Sequence, residues 1–186
     1  MKKPLIFFEL QIVIALGWCS FFSLNEAVNL INPYKDYISL IFLPAGFKIV
    51  LACLLRWQCF LGLFIGTNIT GFIYLDYNLT QHFWFFSIFS ALCPILSVII
   101  VDYFFNLGFK LSEIILQKII LIAALYAFIS TAFYNTYLFG LGEISFIEFQ
   151  QDSLAMFIGD ITGAMLFLSI LSYHRNSLIK LANRYL

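Results

Sequence analysis

Charge is what this sequence has least of. Only 11% of its 186 residues are Asp, Glu, Lys or Arg, and the ten basic and ten acidic residues cancel to a formal net charge of zero. A soluble domain carries about 25% charged residues. Apolar residues make up 62% of the chain, with a mean hydropathy of +0.96, more than a soluble domain of this size can bury. These numbers exclude a soluble enzyme, a disordered segment and a polybasic nucleic-acid-binding protein. They indicate an integral membrane protein.

Metal-binding and redox-active side chains are also scarce. The chain has two histidines, His82 and His174, and four cysteines. The predicted topology given below places the two histidines on opposite sides of the membrane, so they are not expected to share a metal ion. No two cysteines form a CxxC pair, and we expect them to pack as small residues. We therefore predict no metal site and no cofactor. The cysteines are Cys19, Cys53, Cys59 and Cys93.

Long apolar runs divide the chain into six segments. A membrane-spanning helix needs about 20 predominantly apolar residues, and backbone in lipid must be helical or form a closed barrel. The runs are apolar on every face and do not alternate as barrel strands do, so they predict helices. The fold class expected is an all-α, polytopic membrane protein in which residues 1–186 form one integral membrane domain. The six predicted spans are Pro4–Leu24, Tyr37–Leu55, Trp57–Leu75, Phe83–Val101, Ile119–Leu141 and Leu154–Tyr173.

Lysine and arginine residues outside these spans predict the orientation. Eight of them fall on one side of the membrane and one, Lys35, falls on the other. Because short cytoplasmic loops are enriched in Lys and Arg, this asymmetry places both termini in the cytoplasm, as an even number of spans requires. The eight residues are Lys2, Lys3, Arg56, Lys110, Lys118, Arg175, Lys180 and Arg184.

Two opposite charges lie deep within predicted spans. Lys48 is about 16 Å from the start of its span at Tyr37, and Asp160 is about 9 Å from the start of its span at Leu154. A charge inside a span costs at least about 2.5 kcal/mol on insertion scales, so pairing across the second and sixth helices is the economical arrangement. Two interpretations stay open: an ion pair that only fixes helix packing, and a pair that forms the floor of a binding site.

The residues around Lys48 favour the binding site. Pro44 removes a helical N–H donor and frees the carbonyl of Leu40, and Gly46 allows a backbone or a ligand to approach closely. A broken helix is tolerated at membrane depth only where it is buried in protein or lines a polar cavity. We therefore predict a helix break at Pro44 and Gly46.

Polar residues at a comparable depth complete the predicted pocket. Glu26, Asn68 and Asn135 fall in the outer halves of helices one, three and five, where they would supply hydrogen bonds to a ligand. The pocket is expected to open outward between helices one, two, three, five and six, with Lys48 and Asp160 at its floor. One lysine among several acids suits a cationic or zwitterionic small molecule better than a multiply charged anion.

Two blocks of the sequence resemble the MASE family of membrane-associated sensor domains. The first block is Leu43–Lys48 (LPAGFK), followed by Arg56-Trp57 and by Leu61–Asn68 (LGLFIGTN). The second is Phe157–Gly163 (FIGDITG), which is similar to a Gly-Asp…Gly helix near the end of that family's domain.

This resemblance implies an inner-membrane input domain, usually fused to a cytoplasmic kinase, cyclase or phosphodiesterase. The chain is shorter than the usual domain and contains no such output domain. We therefore expect a multi-pass sensory module of the bacterial inner membrane that binds a small molecule and has no nucleic-acid partner. It would relay its signal to a separate signalling protein, through the basic cytoplasmic segment His174–Arg184.

Transport is the alternative function. Six spans in under 200 residues also resemble the substrate-capturing subunit of energy-coupling-factor vitamin transporters. The small-residue face through which such subunits couple to their partners is not convincing in helix one, where Ala15 is followed four residues later by Cys19.

Intramembrane catalysis is disfavoured. Aspartyl membrane proteases need a Gly-x-Gly-Asp helix and a second acid in a Tyr-Asp pair, whereas Gly159-Asp160 lacks the first glycine and the sequence has no Tyr-Asp pair. No Gly-x-Ser-x-Gly motif occurs, and no histidine lies within a predicted span to activate a nucleophile. We expect a binding protein and not an enzyme.

Overall fold

A computed structural model describes residues 3–29, 38–74, 82–105 and 116–173. The regular elements in those ranges are helices, which confirms the predicted all-α class. The basic segment His174–Arg184, and most of the residues that predict the orientation, lie outside the described residues. The elements are α1 (Lys3–Asn29), α2 (Pro44–Leu55), a 3₁₀ turn (Arg56–Cys59), α3 (Phe60–Tyr74), α4 (Phe83–Phe105), α5 (Leu116–Leu141) and α6 (Phe146–Tyr173).

Five helical segments of the described residues are long and apolar enough to cross a membrane, as expected of a multi-pass membrane protein. The count of six spans is not confirmed, since α2 has only 12 residues where a span needs about 20. The segments are Ile6–Ala27, Pro44–Tyr74, Trp84–Phe105, Lys118–Leu141 and Phe146–Leu171.

The segment Pro44–Tyr74 is bent at the 3₁₀ turn. Lys48 Nζ donates to Ser90 Oγ at 2.6 Å, and Ser90 Oγ lies 3.2 Å from Thr67 Oγ1. A straight helix would separate Lys48 from Thr67 by roughly 28 Å, too far for one serine to contact both. The chain therefore folds back at the turn, where Arg56 has a left-handed φ of 49°.

α2 begins at Pro44, so the predicted helical start at Tyr37 is wrong for the described residues 38–43. Proline has no N–H to donate and a φ already suited to a helix, so it fits the first helical position. The break predicted at Pro44 is therefore the start of the helix, with a non-helical segment, residues 38–43, before it.

α6 begins at Phe146, eight residues before the predicted span at Leu154. Ser145 and Glu148 form a reciprocal cap: the Ser145 N–H donates to Glu148 Oε2 (2.9 Å), and the Glu148 N–H donates to Ser145 Oγ (3.3 Å). Such a cap satisfies N–H groups that would otherwise lack partners at a helix start. The first turns of α6 contain Glu148, Gln150, Gln151 and Asp152, which is why an apolar run does not include them.

The short helix α2 lies at the centre of the bundle and contacts α1, α4, α5 and α6. Its side chains Ala45, Ile49 and Ala52 have no exposed surface. The other helices surround it, with α1 on α3, α3 on α4, α4 on α5 and α5 on α6. Apolar side chains such as Val13, Phe72 and Phe128 face outward, as lipid contact requires. α2 therefore supplies interior residues, and Lys48 is one of them.

The end of the bundle at residues 56–59, which we call the turn end, is closed by polar contacts. Arg56 forms an ion pair with Asp102 (2.8 Å). The Gln11 amide donates to the carbonyl of Gln58 (2.9 Å) and accepts from the N–H of Gly62 (2.7 Å). These contacts seal α1, α3 and α4 together at this end.

Candidate ligand-binding cavity

A cavity of about 120 Å³ lies in the half of the bundle opposite the turn end, which we call the cavity end. All six helices and the segment 38–43 contribute to its wall. The prediction left out helix four, which supplies Phe86, Ser87 and Ser90. The other lining residues are Trp18, Phe22, Asn25, Glu26, Ile38, Ser39, Phe42, Lys48, Thr67, Thr70, Gly71, Tyr74, Tyr126, Ser130, Tyr134, Asn135, Leu138, Met156 and Asp160.

Lys48 reaches into this cavity from the central helix. The residue is only 3% exposed. Its ammonium donates to Ser90 Oγ (2.6 Å) and to Tyr126 Oη (3.3 Å), and it lies 4.4 Å from the centre of the Trp18 ring. Hydroxyl oxygens and an aromatic face both stabilise a buried cation. The charge is thus held by neutral groups of α1, α4 and α5.

Asp160 faces the same cavity from α6 and is 2% exposed. It interacts electrostatically with Lys48, and its carboxyl group accepts a hydrogen bond from the Ser130 hydroxyl. No direct ion pair joins the two charged groups, and the pairing predicted across helices two and six, at direct or one-water distance, stays a prediction. The lysine ammonium is drawn instead to Ser90 and Tyr126. Asp160 Oδ2 has no hydrogen-bond partner among the described residues.

The other predicted ligand contacts divide into two groups. Glu26 and Asn135 line the cavity, and the Asn135 amide also donates to Ser153 Oγ (3.1 Å). Asn68 does not line it. Its amide donates to the carbonyl of Phe64, one turn earlier in α3 (2.8 Å). The prediction of Asn68 as a ligand contact is therefore not supported by its position.

Pro44 and Gly46 are buried but do not line the cavity. A Cβ atom at Gly46 would overlap the Phe167 side chain of α6. The glycine thus allows α6, and not a ligand, to approach closely.

The non-helical segment 38–43 is fixed on α6 and α1 by hydrogen bonds. The Phe42 N–H donates to the carbonyl of Gly159 (2.9 Å), and the Leu43 N–H donates to Asn25 Oδ1 (3.1 Å). The carbonyl of Leu40, which Pro44 leaves without its helical donor, lies 2.9 Å from the Thr162 hydroxyl. Backbone groups at membrane depth need such partners.

Two glycines of α6 make room for this segment. A Cβ at Gly159 would overlap the carbonyl oxygen of Ser39, and a Cβ at Gly163 would overlap that of Phe42. Ser39 and Phe42 also line the cavity. One side of the cavity wall is therefore formed by non-helical residues whose backbone lies directly on the glycine face of α6.

Several lining residues are not found by sequence reasoning that follows charges. Trp18, Ser90 and Tyr126 surround the Lys48 ammonium. Neutral side chains cost little free energy in a membrane span, so a search for costly residues does not select them. The depth of Tyr126 in its span could have identified it from the sequence. Tyrosine is enriched at the two membrane interfaces, and Tyr126 lies well inside a predicted span, where its hydroxyl needs a partner.

Comparison of the chain with protein-family profiles, with curated protein sequences and with solved structures gave no match. The resemblance to the MASE family stays a prediction.

Proposed function

We propose that this chain is a membrane-embedded receptor that binds a small molecule in the cavity and relays its presence to a separate protein. One observation carries the proposal: Lys48 and Asp160 carry opposite charges, are both buried, and line one cavity inside a bundle of apolar helices. Buried charges without a direct partner are costly, and they mark functional sites in membrane proteins.

Orientation is part of the proposal. The chain would cross the bacterial inner membrane six times with both termini in the cytoplasm, so that the cavity opens to the outside. Single cysteines in a cysteine-free background test this. Cysteines replacing Lys35 and Glu148 should react with an impermeant maleimide in intact cells, whereas cysteines replacing Lys110 and Lys180 should react only after lysis. The reverse pattern would invert the topology.

The relay would run along α6. Ligand in the cavity would contact both Asp160 and the segment 38–43, which lies on the glycine face of the same helix. From Asp160 the helix continues to Tyr173 at its end, close to the predicted basic segment His174–Arg184. A ligand shifts such an element only as far as its affinity differs between two arrangements. The resemblance to MASE sensor domains supports this direction of signalling.

One packing feature favours the receptor over a transporter's capture subunit. Such a subunit would present small residues of the first helix to its partner. In this chain Ala15 is buried, and the Cys19 thiol lies 3.9 Å from the carbonyl of Gly66 on α3. The small residues of α1 are thus occupied within the bundle.

Purified protein in lipid nanodiscs and in liposomes tests the proposal. We expect saturable binding of a small molecule, no chemical conversion of it, and no uptake into liposomes by this chain alone. Asn68→Ala is the matched control, because this polar residue of α3 lies outside the cavity and should leave binding unchanged. Turnover or unaided uptake would refute the receptor function, and co-purification with ATPase subunits from native membranes would favour the capture subunit.

A further inference from the structure

We propose that the ligand is a zwitterion of amino-acid size, with its carboxylate held by Lys48 and Asn25 and its ammonium held by Asp160. This inference rests on the proposed function, because it specifies what the same cavity binds. Three polar groups in the cavity wall carry it, and each lacks a contact that such a ligand would provide.

Asp160 requires a donor. Its Oδ2 atom is buried and has no hydrogen-bond partner among the described residues. The Ser130 hydroxyl bonds to the carboxyl group, but an ionised carboxylate accepts at both oxygens, and a buried acceptor left without a donor is costly. A ligand ammonium in the cavity would supply both the N–H group and the opposite charge.

Asn25 requires an acceptor. The residue is 1% exposed and lines the cavity. Its Oδ1 atom accepts from the Leu43 N–H (3.1 Å), so the other end of its amide is the NH₂ group. That nitrogen, Nδ2, is buried and has no partner within the described part of the chain. A carboxylate oxygen is a suitable acceptor for it.

Lys48 has a donor left over. An ammonium carries three N–H donors, and two of them are directed at Ser90 Oγ and Tyr126 Oη. No oxygen acceptor for the third is found among the described residues, where the nearest aromatic face is the Trp18 ring, 4.4 Å from the ammonium nitrogen. Lys48 and Asn25 therefore offer two N–H donors, which matches the two oxygens of one carboxylate.

Charge balance selects a zwitterion over a simple amine or acid. The charges of the buried Lys48 and Asp160 cancel, and Glu26, also in the wall, is only partly buried. A ligand with one charge of each sign leaves that balance unchanged, whereas a lone cation or anion adds an uncompensated charge in an apolar bundle.

The size of the cavity sets the size of the ligand. Its volume of about 120 Å³ is somewhat below the roughly 150 Å³ of an engineered cavity that accommodates benzene, a molecule of six carbon atoms. An α-amino acid with a small side chain has a similar number of non-hydrogen atoms.

Binding of three sets of probes to the wild-type protein in nanodiscs tests the inference. The sets are zwitterions (L-alanine and L-serine), amines lacking the carboxylate (ethylamine and ethanolamine), and acids lacking the amine (propionate and lactate). Loss of one hydrogen-bonded charge weakens binding roughly tenfold to a hundredfold. We expect the zwitterions to bind at least ten times more tightly than either partial set, as measured by calorimetry or by the rise in thermal unfolding temperature.

The outcomes separate the two proposals. If ethylamine or propionate binds as well as alanine, or if only uncharged small molecules bind, the zwitterion is refuted and the receptor stands. If a broad metabolite library contains nothing that binds, the receptor fails as well.

Two variants locate the ligand's two ends. Asp160→Asn removes the charge that faces the ammonium. Asn25→Asp keeps the acceptor for the Leu43 N–H but replaces the NH₂ donor by an oxygen. Each should weaken alanine binding by tenfold or more, whereas the control Asn68→Ala should bind as the wild type does. If both variants bind alanine normally, the assigned site is wrong. The probe comparison on the wild type decides the ligand class even if a variant does not fold.

Discussion

Gly159 and Gly163 are the positions at which one added methyl group tests the fold most directly. A Cβ at either glycine would overlap a backbone carbonyl of the segment 38–43, at Ser39 or at Phe42. Rotation of a side chain cannot relieve an overlap with backbone. The segment must move away from α6, and it is tied to α6 by the Phe42 N–H and to α1 by the Leu43 N–H.

The expected magnitude follows from three effects. Overpacking in a well-packed interior costs about 1–3 kcal/mol. Displacement of the segment weakens the hydrogen bond from Phe42 to Gly159, which is worth about 1 kcal/mol, while alanine recovers about 1 kcal/mol of helix propensity. We therefore expect Gly159→Ala and Gly163→Ala each to lower the free energy of unfolding by about 1–3 kcal/mol.

Gly140→Ala is the matched control. Gly140 is also a helical glycine, in α5, but a Cβ there would contact nothing within 4 Å. Its replacement should be neutral or stabilise by up to about 1 kcal/mol. The measurement is reversible unfolding in mixed micelles with increasing SDS, monitored by circular dichroism. If all three variants unfold at the same SDS fraction, residues 38–43 do not pack on α6 as described.

Two further predictions concern buried polar groups. Gln11→Leu should lower the free energy of unfolding by about 1–3 kcal/mol, because it leaves the buried Gly62 N–H without its acceptor. Gln151→Leu, at an exposed position of α6, should change it little. Equal unfolding curves would refute the role of Gln11. In a double-mutant cycle, the stability lost by the double variant Lys48→Met, Asp160→Leu should be smaller than the sum of the two single losses by about 1–2 kcal/mol. Removing one member of a direct buried ion pair would cost more, about 3–5 kcal/mol. Strict additivity would show that the two charges do not interact.

Residues that are costly in a membrane can be found from the sequence alone. Lys48 and Asp160 are charges inside long apolar runs, and the prediction that they share one site agrees with their common cavity. Their pairing at direct or one-water distance stays a prediction, since the two groups interact electrostatically without a direct ion pair. The sequence gives the charge of a lysine but not the hydroxyls within its reach, and Ser90 and Tyr126 lie far away along the chain.

Residues that cost little free energy in a membrane are harder to assign to a site from the sequence. Asn68 lies at a suitable depth in α3, but depth does not fix the direction of its side chain, and an amide in a helix can bond to the carbonyl one turn earlier, as it does at Phe64. The ends of the helices are predicted incorrectly for a related reason. A count of apolar residues misses a first turn that contains several polar residues, such as that of α6. It also extends α2 across residues 38–43, which are apolar apart from Ser39 but are not helical.

The contact between the segment 38–43 and α6 also has a consequence for biogenesis. The segment belongs to the second helical region to be synthesised, whereas the groups that satisfy its backbone at Leu40 and Phe42 come from the last. Unpaired backbone groups cost several kcal/mol each in hydrocarbon. The nascent segment should therefore remain at the water interface, with α2 not yet in place, until α6 has entered the bilayer. Lys48 would then be carried to its buried position when α6 arrives, and the cavity would not form before that step.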